Sequence, residues 1–219
     1  MKHGLAVVFF LPVVTASSLL HAQAEPAVCY LPLQPPAAFT ALDSTDPAVR
    51  ITSDQVSLTD NQQANFDGNV QISYRDTLLL APKANFSSAS QLMHAEGGIN
   101  YFNQALQVSG TVFSANLQQN QARLDNASYR FLAQAGRGYA AALTATEQEV
   151  MLDDALFTTC PQQDNSWALH ASEIRIEESE GWGEARHAVF KIKNIPVLYL
   201  PYLTFPVNEQ RRSGLLLPK

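Results

Sequence analysis

Asn69-Val70-Gln71-Ile72-Ser73-Tyr74-Arg75 is the stretch on which the fold turns. Val70, Ile72 and Tyr74 alternate with polar neighbours. A period of two sends successive side chains to opposite faces, so the stretch reads as a strand with one apolar and one wet face. The pattern returns further along. Trp167, Leu169 and Ala171 alternate with Ala168, His170 and Ser172, and Phe190 and Ile192 alternate with Lys191 and Lys193. No long stretch keeps apolar residues at helical spacing. Residues 143–152 hold good helix formers, but Val150 and Leu152 continue a strand pattern. The chain is predicted to be all-β.

Small or acidic residues recur ahead of apolar runs at Asp67-Gly68, Glu96-Gly97-Gly98, Asp125-Asn126-Ala127, Asp153-Asp154-Ala155 and Arg186-His187-Ala188. Read as turns, they divide the chain into steps of about 28 to 33 residues, each with room for two strands. Stacked strand pairs around an apolar interior predict a β-jellyroll or an open solenoid-like sandwich. The interior set includes Leu78, Leu80, Phe86, Ile99, Tyr101, Leu106, Val108, Leu124, Phe131, Trp167 and Phe190. An ordinary core is the first meaning of such alternation.

The N-terminus reads as an export signal over residues 1–24. Lys2 and His3 open it, residues 5–20 are apolar, and Ala22-Gln23-Ala24 is a small-x-small cleavage site. An uncleaved membrane anchor is the alternative. Residues 25–50 hold Pro26, Pro32, Pro35, Pro36 and Pro47, which predicts an extended leader rather than a core element. Without the signal, 13 basic and 20 acidic residues leave a charge of 13 − 20 = −7. A net-negative chain with no basic run argues against nucleic acid. Two cysteines remain, Cys29 and Cys160. An oxidising compartment would allow them to bond, and two unrelated thiols is the alternative.

Catalytic patterns are not visible. His94, His170 and His187 lie far apart, with no metal-ligand spacing, so neither a metal nor another cofactor is expected. Gly136-Arg137-Gly138 is too short to cradle a nucleotide and reads as a turn. The adjacent pairs Asp153/Asp154 and Glu177/Glu178 would face opposite sides of a strand and cannot share a site.

The C-terminal stretch is more specific. Ile195-Pro196-Val197-Leu198-Tyr199-Leu200-Pro201-Tyr202-Leu203-Thr204-Phe205-Pro206 is followed by Arg211-Arg212-Ser213-Gly214-Leu215-Leu216-Leu217-Pro218. It resembles the signature of the LptD (OstA) family. Phe157-Thr158-Thr159-Cys160 with Trp167, and Gly136-Arg137-Gly138-Tyr139-Ala140, also resemble segments of that family. Proline has no N–H and is foreign to central strands, so Pro196, Pro201 and Pro206 predict a rigid linker after a domain at residues 51–195, with a proline-rich edge of a sheet sandwich as the alternative. Residues 196–219 are then linker and the start of a barrel strand, with the basic pair near an interface.

The resemblance implies a periplasmic β-jellyroll followed by a transmembrane β-barrel at the outer membrane. The sequence ends at Lys219, so the expectation is the N-terminal part without its barrel. The implied function is lipopolysaccharide (LPS) transport and assembly, not catalysis. Acyl chains of lipid A would lie against Val70, Ile72, Phe86, Tyr101, Phe131, Trp167 and Phe190. LPS would arrive from the bridge protein LptA, paired to an edge strand at residues 51–58, and LptE would join the full-length barrel. Pro218 matches a proline that weakens closure of the barrel. Cys29 and Cys160 match cysteines that bond to the barrel or to each other, which implies a Cys29–Cys160 bridge here. The rivals are a free-standing bridge protein like LptA or LptC and a β-solenoid polysaccharide-active enzyme. The proline motif and Cys160 speak against the first. The lack of clustered acids speaks against the second.

Overall fold

In the computed structural model the described residues are 35–206, without 41, 43–47, 60–61, 133–134, 162–163, 165, 178–180 and the side chain of 40. The signal segment, Cys29, Arg211, Arg212, Pro218 and any surface for LptE on a barrel lie outside them.

A short helix, α1 (Ala37–Thr40), precedes the strands. The strands are β1 (Arg50–Thr52), β2 (Gln55–Thr59), β3 (Gln63–Tyr74), β4 (Thr77–Ser87), β5 (Leu92–Phe102) and β6 (Leu106–Asn116). They continue as β7 (Gln121–Phe131), β8 (Arg137–Ala145), β9 (Glu149–Thr158), β10 (Trp167–Glu177), β11 (Trp182–Ile192) and β12 (Ile195–Pro206). All belong to one sheet of antiparallel neighbours, in the order β1, β3, then β4 through to β12. β2 also pairs with β3. Antiparallel neighbours need only tight turns, which is why so short a chain can hold long strands. Lys193 and Asn194 alone join β11 to β12, at φ 48° and 67°, the two left-handed residues of a type I′ hairpin.

Most strands change phase at mid-length. On β7, Leu124 and Ala127 are buried while Asp125 and Asn126 between them face outward. The same in-out-out-in step occurs at Leu152/Ala155 on β9 and Ala185/Ala188 on β11. The extra outward residue is left-handed: Asn126 at φ 52°, Asp154 at 46° and His187 at 50°. Gly97 and Gly98, at 92° and 105°, take the matching place on β5, in a region of backbone space nearly closed to residues with a Cβ. These steps line up from strand to strand as bulges do when they bend a sheet. The sheet is therefore creased along its middle, and its two inner half-faces look toward each other. Buried residues from both sides of the crease form one cluster, with Leu152 and Ile174 against Ala140, Ala155 and Ala171.

The repeat seen in the sequence is thus real in period but different in meaning. Its markers have the chemistry of turns between strands, and they lie in the middle of strands. A turn and a crease demand the same residues, those that tolerate left-handed φ. Three further expectations change. Residues 196–206, expected as a linker, continue the sheet as edge strand β12, where proline is tolerated. The leader is not wholly extended: α1 sets Phe39 against Phe102, with ring centroids 6.2 Å apart. Leu78 and Leu80, expected inside, flank Leu79, which holds the inner place opposite Ile72 and Tyr101. Leu78 is nonetheless buried, beside Phe102 on the face α1 covers.

Candidate functional site

The inner face carries apolar residues in rows that cross the whole sheet. One row runs from Val56 and Phe66 through Ala84, Ala95 and Phe113 to Leu124. It continues through Leu143, Leu152, Ile174 and Ala185 to Leu203. Across the crease, another starts at Ile51 and Ile72 and passes Leu79, Tyr101, Val108 and Tyr129. It ends through Phe157, Leu169 and Phe190 at Leu198.

Burial falls away from the crease. The crease alanines are nearly inaccessible, with Ala127, Ala140 and Ala185 at 0%. Phe86, Phe113, Phe131, Phe157, Trp167 and Phe190 point the same way but are only half-buried. Closed cores most often bury phenylalanine fully. The inner face is therefore an apolar trough, tight at the crease and open at its lips.

Of the seven residues expected to line a lipid path, Val70, Ile72 and Tyr101 belong to one inner cluster. Trp167 and Phe190 stack with centroids 5.7 Å apart, and Phe157, which the sequence reading did not place in the site, meets Trp167 at 5.9 Å. Phe131 meets Tyr129 edge-on at 6.2 Å. Phe86 lies across the crease from these six, opposite Met93. Phe113 was also missed, because it sits where the alternation changes phase.

The outer face is polar and paired. Asp67 holds Lys83 at 3.4 Å, and Arg123 meets Asp125 at 2.9 Å and Asp153 at 4.0 Å. Arg175 lies 3.4 Å from Glu149. The exposed pairs of Lys83 and Arg123 add little stability. Their effect is to keep this face wet. A cavity of about 330 Å³ beside β2 and β3 is lined mainly by such outward groups, Asn65, Asp67, Lys83, His94 and Glu96 among them. Val56, Phe66 and Ala84, which begin the first trough row, also border it. Among the described residues no three His, Cys, Asp or Glu gather to hold a metal. No helix among them is long and apolar enough to cross a membrane, which says nothing of strands.

Cys160 is buried in a clamped loop. Arg137 donates from Nε to the Cys160 carbonyl at 2.8 Å, and from the guanidinium tip to Pro161 at 2.9 Å and Asp164 at 3.3 Å. The Cys160 amide donates to the Thr158 hydroxyl, which donates in turn to the Trp167 carbonyl at 2.7 Å. The amide and hydroxyl of Ser166 both donate to Asp164 and hold its carboxyl below the usual range. Arg137 and Gly138, expected in a turn, open β8 instead.

Residues 50–182 match the family model described as "LptA/(LptD N-terminal domain) LPS transport protein". The LPS-assembly protein LptD of Pseudoalteromonas translucida is 41% identical over 170 residues, 78% of this chain and 23% of that protein. That of Shewanella denitrificans is 37% identical over 183 residues, 83% of this chain and 24% of that protein. The chain thus spans about a quarter of the length of these curated relatives. Among solved structures, the crystal structure of LptH from Pseudomonas aeruginosa, described as an LptA-homologous periplasmic component, is similar over 44% of this chain and 74% of that one, at 17% identity and a TM-score of 0.39.

Proposed function

Since the chain belongs to the family of LptA and the LptD N-terminal domain, LPS transport proteins rather than enzymes, we propose that its trough holds the acyl chains of LPS and hands them toward the outer membrane. The observation that carries this reading is the half-burial of aromatic side chains that all face inward. Each methylene removed from water is worth about 0.8 kcal/mol, so a multi-chain lipid gains from a trough that leaves its sugars outside. Because the crease is filled by alanines and aliphatics, the chains would lie along the lips, against Phe86, Phe131, Trp167 and Phe190. Val70, Ile72 and Tyr101 would form the floor.

LPS would reach this trough at the periplasmic side of the outer membrane. A bridge protein like LptA would lay a strand on the edge formed by β1 and β2. What supports this is the edge itself: β2 is exposed along its whole length, with Val56 58% and Leu58 72% accessible. A bare edge with apolar side chains is a template for a further strand.

A photo-reactive residue at Phe86 or Phe190 should capture LPS in cells. One at Gln71 or Lys191, on the outer face, should not. Equal capture at both pairs, or none at Phe86 and Phe190 in a folded protein, would show that the trough is an ordinary core.

A further inference from the structure

The two edges of this sheet are built differently. β1 and β2 contain no proline. β12 contains Pro196, Pro201 and Pro206, spaced five apart. Pro196 is paired with Lys191 and Pro206 with Trp182. A proline has no N–H to give β11, so in a paired position its nitrogen faces the open edge. Pro201 sits at the crease, between the paired Leu200 and Tyr202. An incoming strand would therefore meet missing donors at both ends of β12 and a third proline where the edge bends.

The side chains of β12 make this blocking consequential. Ile195 is 65% exposed and Tyr199 55%, with Val197, Leu198 and Tyr202 close to them. An edge rich in exposed apolar and aromatic side chains invites pairing, and edge prolines are one device that prevents it. The complementary surface lies on the molecule itself, at the opposite edge, where Val56 and Leu58 are bare. Pairing of β12 with β1 and β2 of another copy would be head-to-tail, and such contacts run on into open chains.

We propose that β12 is a capped edge: its three prolines exclude a second copy of this chain, so that another strand can join the sheet only at β1 and β2. The inference does not depend on what the trough holds.

The test replaces Pro196, Pro201 and Pro206 by threonine in the full chain and follows molecular mass against concentration. The parent chain should stay monomeric. The triple variant should shift to dimers and longer species as concentration rises, and adding Val56→Pro should return it to monomer. Circular dichroism checks that each variant is folded. As a second measurement, amide exchange of the parent at high concentration should show no added protection along β12. A folded triple variant that stays monomeric, association that survives Val56→Pro, or concentration-dependent protection of β12 in the parent would each overturn the proposal.

Discussion

The Tyr129 hydroxyl reaches past β8 to donate to the main-chain carbonyl of Leu156 on β9, 3.0 Å away. The strand it crosses carries Gly138, the cross-strand partner of Tyr129. A Cβ on Gly138 would run into both the ring and the Leu156 carbonyl. Glycine is required here for closeness rather than for backbone freedom, since the ring fills the place of its missing side chain.

Gly138→Ala should therefore lower stability by about 1–3 kcal/mol, the usual cost of forcing extra atoms into filled space. Urea unfolding measures it. A midpoint equal to that of the parent would mean that the ring can swing clear.

Alkaline pH should expose the same arrangement. Burial pushes the Tyr129 phenol up. A tyrosine in the unfolded chain ionises near pH 10, so below about that value both states keep the proton and the contribution to folding is intact. Above it the unfolded state ionises first, and stability falls as pH rises toward the folded-state value. Tyr129→Phe should cost about 1 kcal/mol at neutral pH. It should also lose less stability than the parent above pH ~10. Parallel curves for the two proteins would assign the alkaline loss to other groups.

The edge at β2 gives a binding prediction. Val56→Pro should weaken association with an LptA-type strand at least tenfold, which corresponds to about 1.4 kcal/mol. Since β2 is exposed throughout, the thermal midpoint should change little. Titration calorimetry reads the first quantity and a melt the second. Unaltered affinity would place the partner elsewhere.

The thiol prediction combines reach with restraint. Cys29 lies eight residues before α1, so its reach is at most about 28 Å. We expect a Cys29–Cys160 bridge in material from an oxidising compartment, visible as a linked peptide in a non-reduced digest. Arg137→Ala should loosen the loop after β9 and make reduced Cys160, 7% exposed in the parent, react faster with alkylating reagents. Two freely alkylated thiols in oxidised material would remove the bridge, and an unchanged rate in Arg137→Ala would remove the clamp.

Alternation made the strands legible from the residues, because a half-buried strand has to alternate. It could not show how far each strand runs. At the crease, Leu124 and Ala127 are both inward and three apart, so one eleven-residue strand reads as two short ones with a turn at Asp125-Asn126. The inward set was readable on both sides of the crease, as Trp167 with Phe190 on one side and Phe86 on the other. Whether that set closes on itself was not readable, because a dry core and an open trough leave the same alternation. Only the residual exposure of Phe86 or Phe190 separates them. Pro196 and Pro201 gave the right local chemistry and the wrong place, since proline is as much at home on a sheet edge as in a linker.

The crease also sets the unit by which such a sheet can change length. The left-handed residues Asn126 and Asp154 are 154 − 126 = 28 residues apart and occupy equivalent places on β7 and β9. A duplication or loss of that span adds or removes one hairpin and keeps every crease residue in line with its neighbours. The passage would lengthen or shorten by two strand spacings, about 9.5 Å, at constant cross-section. Gain or loss of a single residue within a strand would instead turn half of it inside out, placing charges in the trough. Inheritance of length in this architecture should therefore proceed by whole hairpins.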